Sequence, residues 1–89
     1  VITDKANVVE RIINTMISRI TDNGHPQLRA AAYVCGGYVG GGYLHTGEAI
    51  QMIEKMIYGN SYLSQKPKVY IKTAHTMIAK GQSKPLFLK

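Results

Sequence analysis

Lysines without neighbouring acids dominate the C-terminal third of this chain: six lysines and no aspartate or glutamate lie from Ser61 to Lys89. Lys68, Lys72 and His75 follow one another at intervals of four and three residues, which places them on one face of a helix. Ammonium groups bind phosphate oxygens, so this row favours a nucleic acid strand as a ligand. The solvated face of an ordinary helix has a similar composition, and the pattern alone leaves both interpretations open.

Other residues extend this candidate site. Lys80 and Lys84 continue the basic segment toward and beyond the predicted helix end. Arg29 and Tyr33 lie one helical turn apart, where a guanidinium can hold a phosphate and a ring can stack on a base. Tyr33 is explained equally well as a tyrosine at the edge of the core. The predicted nucleic-acid contacts are Arg29, Tyr33, Lys68, Tyr70, Lys72, Lys80 and Lys84, with the two tyrosines as alternative stacking residues.

Residue types that catalyse reactions show no comparable pattern. Glu48 and Glu54 are six residues apart and point to different faces of a helix, so they do not make an acid–base pair. Cys35 has no histidine close to it in sequence, and the three histidines lack the i, i+4 spacing of a helical zinc site. We therefore expect this domain alone to have no catalytic residue, no metal and no cofactor.

A glycine-rich stretch lies at the centre of the chain. Residues 26–44 carry five of the nine glycines. Gly36 and Gly37 are unfavourable in an exposed helix, because glycine costs about 1 kcal/mol relative to alanine there. They predict a helix that another element approaches closely. The run 40–42 follows this helix and lacks the Lys-Ser/Thr ending of a P-loop, so it predicts a helix end rather than a phosphate loop.

Apolar residues at helical spacing predict a helix before this stretch. Its apolar positions run from Val8 to Ile20, and Thr3 or Asp4 is the expected N-cap. We expect Gly24 to end this helix in the left-handed conformation. Pro26 suits the first turn of the next helix.

Two more helices are predicted after the glycines. One has Thr46 as its expected N-cap and ends at Gly59. Tyr62 and Leu63 predict an apolar anchor in the connection that follows. The last helix opens at 66–68 and is closed by Gly81.

These elements predict an all-α fold, a small bundle of about four helices, as a single domain over residues 1–89. Strand-like alternation is confined to residues 86–88. The 45% apolar content suffices for one modest core, and the net charge of +6 favours a polyanionic partner. From the initial valine we expect a piece of a longer protein or a processed product. We expect a cytoplasmic protein that does not enter a membrane, with its one cysteine as a buried free thiol.

Four segments together resemble a helical module of replication proteins, the primase C-terminal type. This module lies beside the catalytic domain of archaeo-eukaryotic-type primase-polymerases and of phage and plasmid primase-helicases. The resemblance covers about residues 25–86. The segments that carry it are 28–32, 36–39, 42–44 with Glu48-Ala49-Ile50, and Lys72 through Ile78 to Gly81 and Pro85.

The resemblance implies a non-catalytic accessory domain that binds single-stranded DNA template and assists priming. The carboxylates for nucleotidyl transfer would lie in a separate primase domain. By this resemblance, Arg29 and the segment from Lys72 to Lys80 match the positions where the helical module carries basic residues. Residues 25–27 depart from the Asn-containing segment that is common at this point in the family. Further partners implied are nucleotide and the adjacent primase or helicase domains. A structural connector or protein-interaction module between catalytic domains, with an incidental basic face, is the alternative.

Overall fold

The computed structural model of the chain describes residues 2–20 and 24–87, with side chains from residue 7 onward. This part of the chain folds into four α-helices and one 3₁₀ turn at 63–65, without strands. The all-α prediction is therefore confirmed. Residues 86 and 87 are irregular, and residue 88 lies outside the described part. The helices are α1 (Ile2–Ser18), α2 (Gly24–Gly40), α3 (Thr46–Gly59) and α4 (Pro67–Gly81).

α1 contributes one apolar stripe to the core, as its spacing predicts. Val9, Ile13 and Ile17 recur every fourth residue and are completely or almost completely buried. The predicted N-cap is wrong, because the helix already begins at Ile2. Thr3 and Asp4 therefore lie within the helix instead of capping it.

Gly24 does not have the predicted role. It begins α2 rather than ending α1, and Gly42, with φ of 90°, is the one glycine with positive φ in the described chain. The small size of Gly24 matters instead, because a Cβ at this position would contact the side chains of Tyr62 and Tyr70 at 2.8 and 3.0 Å. Gly42 follows the end of α2, as the predicted helix stop requires.

α2 is the central helix, and α4 packs on it at very short range. A Cβ on Gly36 would collide with the backbone carbonyl of Ile78, and one on Gly81 would collide with the carbonyl of Tyr33. The predicted close approach to the α2 glycines is thus confirmed. After α4 the chain turns back along α2, where the Leu86 N–H donates a hydrogen bond of 2.8 Å to the Gly37 carbonyl.

α3 begins one residue earlier than predicted. His45 is the N-cap with extended backbone, and its N–H donates to Glu48 Oε1 at 3.1 Å. Thr46 is the first helical residue, and its hydroxyl accepts a hydrogen bond from Gln82 Nε2 at 3.1 Å. The expected N-cap at Thr46 is therefore wrong by one position, while the end at Gly59 is confirmed.

The side chain of Asn60 links the end of α1 to the connection between α3 and α4. Its Nδ2 donates to the carbonyls of Ile17 and Ile20 at 3.0 and 3.2 Å. Its Oδ1 accepts from the N–H groups of Tyr62 and Leu63 at 2.8 and 3.0 Å. Leu63 is fully buried, as predicted for an apolar anchor. One side chain thus holds the end of α1 to the connection that leads into α4.

Candidate nucleic-acid interface

The outer face of α4 is set by what its inner face buries. Tyr70, Ala74 and Ile78 point into the core. At 100° per residue, the opposite side of this helix carries Lys68 and Lys72, and both are exposed. Because the glycine contacts fix α4 against α2, these ammonium groups face solvent.

A shallow groove of about 410 Å³ runs along this face. Lys68 and Lys72 lie one turn apart on it, about 6 Å along the helix axis. Ile71 contributes apolar surface, and the Thr76 hydroxyl donates to the Lys72 carbonyl at 3.2 Å. We call this surface the α4 groove; its lining residues are Lys68, Ile71, Lys72, His75 and Thr76.

The lysines of the α4 groove have no acidic partner among the described side chains. The one ion-pair contact there joins His75 Nε2 to Glu54 Oε1 at 3.7 Å. Glu54 belongs to α3 and borders the His75 end of the groove. Lys68 and Lys72 are consequently available to an external anion.

Lys80 and Lys84 extend the positive charge along a different line. Lys80 is exposed in the last turn of α4, about 12 Å along the axis from Lys72 and about 80° around it. Lys84 is exposed in the segment that follows, where its N–H donates to the Gly81 carbonyl at 3.0 Å. Neither residue lines the α4 groove, so a bound strand would have to curve around the helix end to contact them.

Arg29 and Tyr33 lie on α2 rather than in the α4 groove. Arg29 is exposed, and no ion pair joins it to a described acidic side chain. Tyr33 is half-buried, and its carbonyl packs against Gly81. Arg29 is therefore a separate positive group, and Tyr33 has the partial burial of a tyrosine at the core edge.

Tyr70 does not suit the predicted stacking role. Its side chain is only 6% exposed, and its ring packs against His25 and Tyr62 at centroid distances of 4.8 and 6.5 Å. Burial, together with a hydrogen bond to Tyr62, raises the pKa of Tyr70 above its ordinary value. Stacking on a base would require this ring to leave the core, so Tyr70 is a packing residue.

Tyr58 on α3 is an exposed aromatic residue that the sequence prediction missed. Its side chain is 61% exposed. A signal was present, because Tyr58 follows Glu54 by four residues and therefore shares its outward face.

Cys35 lies in the core, not in a cleft. Its side chain is fully buried, and burial raises the pKa of the thiol to about 12. A thiolate nucleophile is disfavoured in that environment. Across the described residues, no cluster of three potential metal ligands is found, and no helix has the length and apolarity needed to span a bilayer.

A second, larger groove of about 690 Å³ lies between α1 and α3. It mixes apolar side chains such as Met52 and Met56 with polar ones such as Asn14 and Gln65. Its charged residues, Glu10 and Lys55, are of opposite sign. This groove therefore lacks the excess of positive charge found in the α4 groove.

Comparison of the chain with protein-family models, with curated proteins and with solved structures finds no match.

Proposed function

We propose that this chain is a non-catalytic helical accessory domain of a DNA primase or primase-helicase that holds single-stranded DNA template in the α4 groove. One observation carries the proposal: Lys68 and Lys72 are exposed one turn apart, with no acidic partner among the described side chains. The resemblance of residues 25–86 to the primase module supports the same conclusion. Adjacent primase or helicase domains would supply the chemistry.

Binding in this proposal is electrostatic. Each ammonium group that contacts a phosphate releases a condensed counterion, so the affinity depends on salt. Lys80, Lys84 and Arg29 lie outside the groove and would add contacts as the strand continues around the helix end. The proposed setting is the reducing cytoplasm, which suits the buried free thiol of Cys35. Nucleotide is a further candidate ligand of the full protein.

The experiment is a titration of a fluorescently labelled single-stranded oligonucleotide, followed by anisotropy at several salt concentrations. If four lysines each neutralise one phosphate, the affinity should fall roughly 50-fold between about 50 and 200 mM salt. Absence of binding at low salt, or binding that does not depend on salt, would contradict the proposal.

A protein-interaction module is the second candidate function. The groove between α1 and α3 favours it, because Met52 and Met56 offer adaptable apolar surface beside polar groups. Charge reversal at Lys68 and Lys72 separates the two candidates. A domain that acts only by protein contacts through the α1–α3 groove would keep its binding to a partner domain, whereas a template-binding domain would lose its affinity for DNA.

A further inference from the structure

We propose that Tyr58 is the base-stacking residue of the template site, placed on α3 beside the phosphate-binding lysines of α4. This inference rests on the proposed function, since it assumes that a strand lies in the α4 groove. It assigns the stacking role to a residue outside the sequence prediction and replaces Tyr70 in that role.

The contact between Glu54 and His75 fixes the position of Tyr58. These two side chains approach to 3.7 Å where α3 packs against α4. Thr46 at the start of α3 accepts a hydrogen bond from Gln82, just after the end of α4, so the two helices run antiparallel. The residue one turn after Glu54 on α3 is therefore level with the residue one turn before His75 on α4. Tyr58 accordingly lies at the level of Ile71 and Lys72, beside the α4 groove but not among its lining residues.

The ring of Tyr58 is open to a ligand. With 61% of its side chain exposed, it contacts none of the other aromatic rings that the structure describes. Of the other tyrosines near α4, Tyr70 is buried, Tyr62 is partly buried against it, and Tyr33 is half-buried. Tyr58 is thus the aromatic side chain that combines an accessible face with the neighbourhood of Lys68 and Lys72.

A lysine row beside an exposed ring is the arrangement that binds single strands with little sequence preference. The ammonium groups contact the backbone, while any base can stack on the ring. Duplex DNA turns its bases inward, so it could use only the lysines. The site should therefore prefer single-stranded to duplex DNA through Tyr58.

The test compares two labelled oligonucleotides of equal length and charge, one with normal bases and one made of abasic sites. Wild-type protein should bind the strand with bases between about 5-fold and 150-fold more tightly, the range expected for one stacked base. Tyr58→Ala should remove this difference and leave the affinity for the abasic strand unchanged. Tyr58→Phe keeps the ring and should retain the difference.

Phe87→Ala is the matched control. Phe87 is 67% exposed and follows Leu86, which packs on Gly37 of α2. Phe87 therefore lies near the C-terminal end of α4, away from Lys68 and Lys72. This variant should bind both strands as the wild type does. Circular dichroism of each variant checks that the helices are intact.

Three outcomes would overturn the inference. Equal wild-type affinity for both strands, with normal salt dependence, would remove Tyr58 from the site and leave the proposed function standing. If the Tyr58→Ala variant kept the full preference for the strand with bases, Tyr58 would likewise be excluded from the site and the proposed function would stand. Absence of binding to both strands would reject the proposed function together with the role of Tyr58.

Discussion

The backbone of Gly36 in α2 lies directly against the backbone carbonyl of Ile78 in α4, with no room for a side chain between them. Gly81 makes the reciprocal contact with the carbonyl of Tyr33. Two glycines on facing helices thus allow a backbone-to-backbone crossing. This crossing sets the rotation of α4, and with it the outward direction of Lys68 and Lys72.

Replacing either crossing glycine by alanine should destabilise the protein. In Gly36→Ala or Gly81→Ala the new methyl group meets backbone, which can give way only if the helices separate. We expect a loss of about 1–3 kcal/mol in the free energy of unfolding, measured by urea denaturation. Gly47→Ala is the control, because a Cβ there has nothing within 4 Å and should be neutral or stabilising. Equal stability of Gly36→Ala and Gly47→Ala would contradict the close crossing.

Asn60→Ala should be costly for a different reason. The substitution removes four hydrogen bonds that tie the end of α1 to the connection before α4. A destabilisation of about 2–4 kcal/mol is expected, with the urea midpoint as the readout. Asn14→Ala, at an exposed position on α1, should change stability by no more than about 0.5 kcal/mol. A small effect at Asn60 would show that solvent satisfies these backbone groups.

Cys35 makes the free energy of unfolding depend on pH in the alkaline range. Burial raises the pKa of the thiol from 9.0 in the unfolded chain to about 12 in the fold. Between these values the unfolded state loses the proton and the folded state keeps it, so the stabilisation is complete below pH 9 and declines as pH rises toward 12. By pH 10.5 the wild type should lose about 2 kcal/mol relative to Cys35→Ala, by urea denaturation. If the free energy of unfolding changed equally with pH in the wild type and in Cys35→Ala, the predicted effect of the buried thiol would be contradicted.

Short-range patterns predicted the fold and the central part of the candidate site. The spacing of Lys68 and Lys72 suffices to place them on one face, because the helical period is fixed. The glycines of α2 predicted a close neighbour but not which one. Ile78 lies more than forty positions away in sequence. Packing at that range is not encoded in any local pattern.

The predictions that differ from the structure depend on such distant contacts. Gly24 suits a helix end by local criteria, yet its neighbours are Tyr62 and Tyr70. Tyr70 suits either a core or a stacking surface, and only the positions of His25 and Tyr62 decide between them. The hydrogen bonds that the Asn60 side chain donates reach residues 40 and 43 positions away in sequence. Arg29 joins the predicted site by its charge, its spacing from Tyr33 and the family resemblance, and it does not line the α4 groove.

The most direct test of the proposed template site is the salt dependence of single-stranded DNA binding in Lys68→Gln/Lys72→Gln. The control is Arg19→Gln/Lys55→Gln, which removes the same charge from exposed positions on the α1 and α3 side of the molecule. If both groove lysines contact phosphates, the slope of log affinity against log salt should shrink by about 1.4 in the groove variant and stay at the wild-type value in the control. An equal change of slope in the two double variants would mean that only net charge matters, and the α4 groove would not be the binding site.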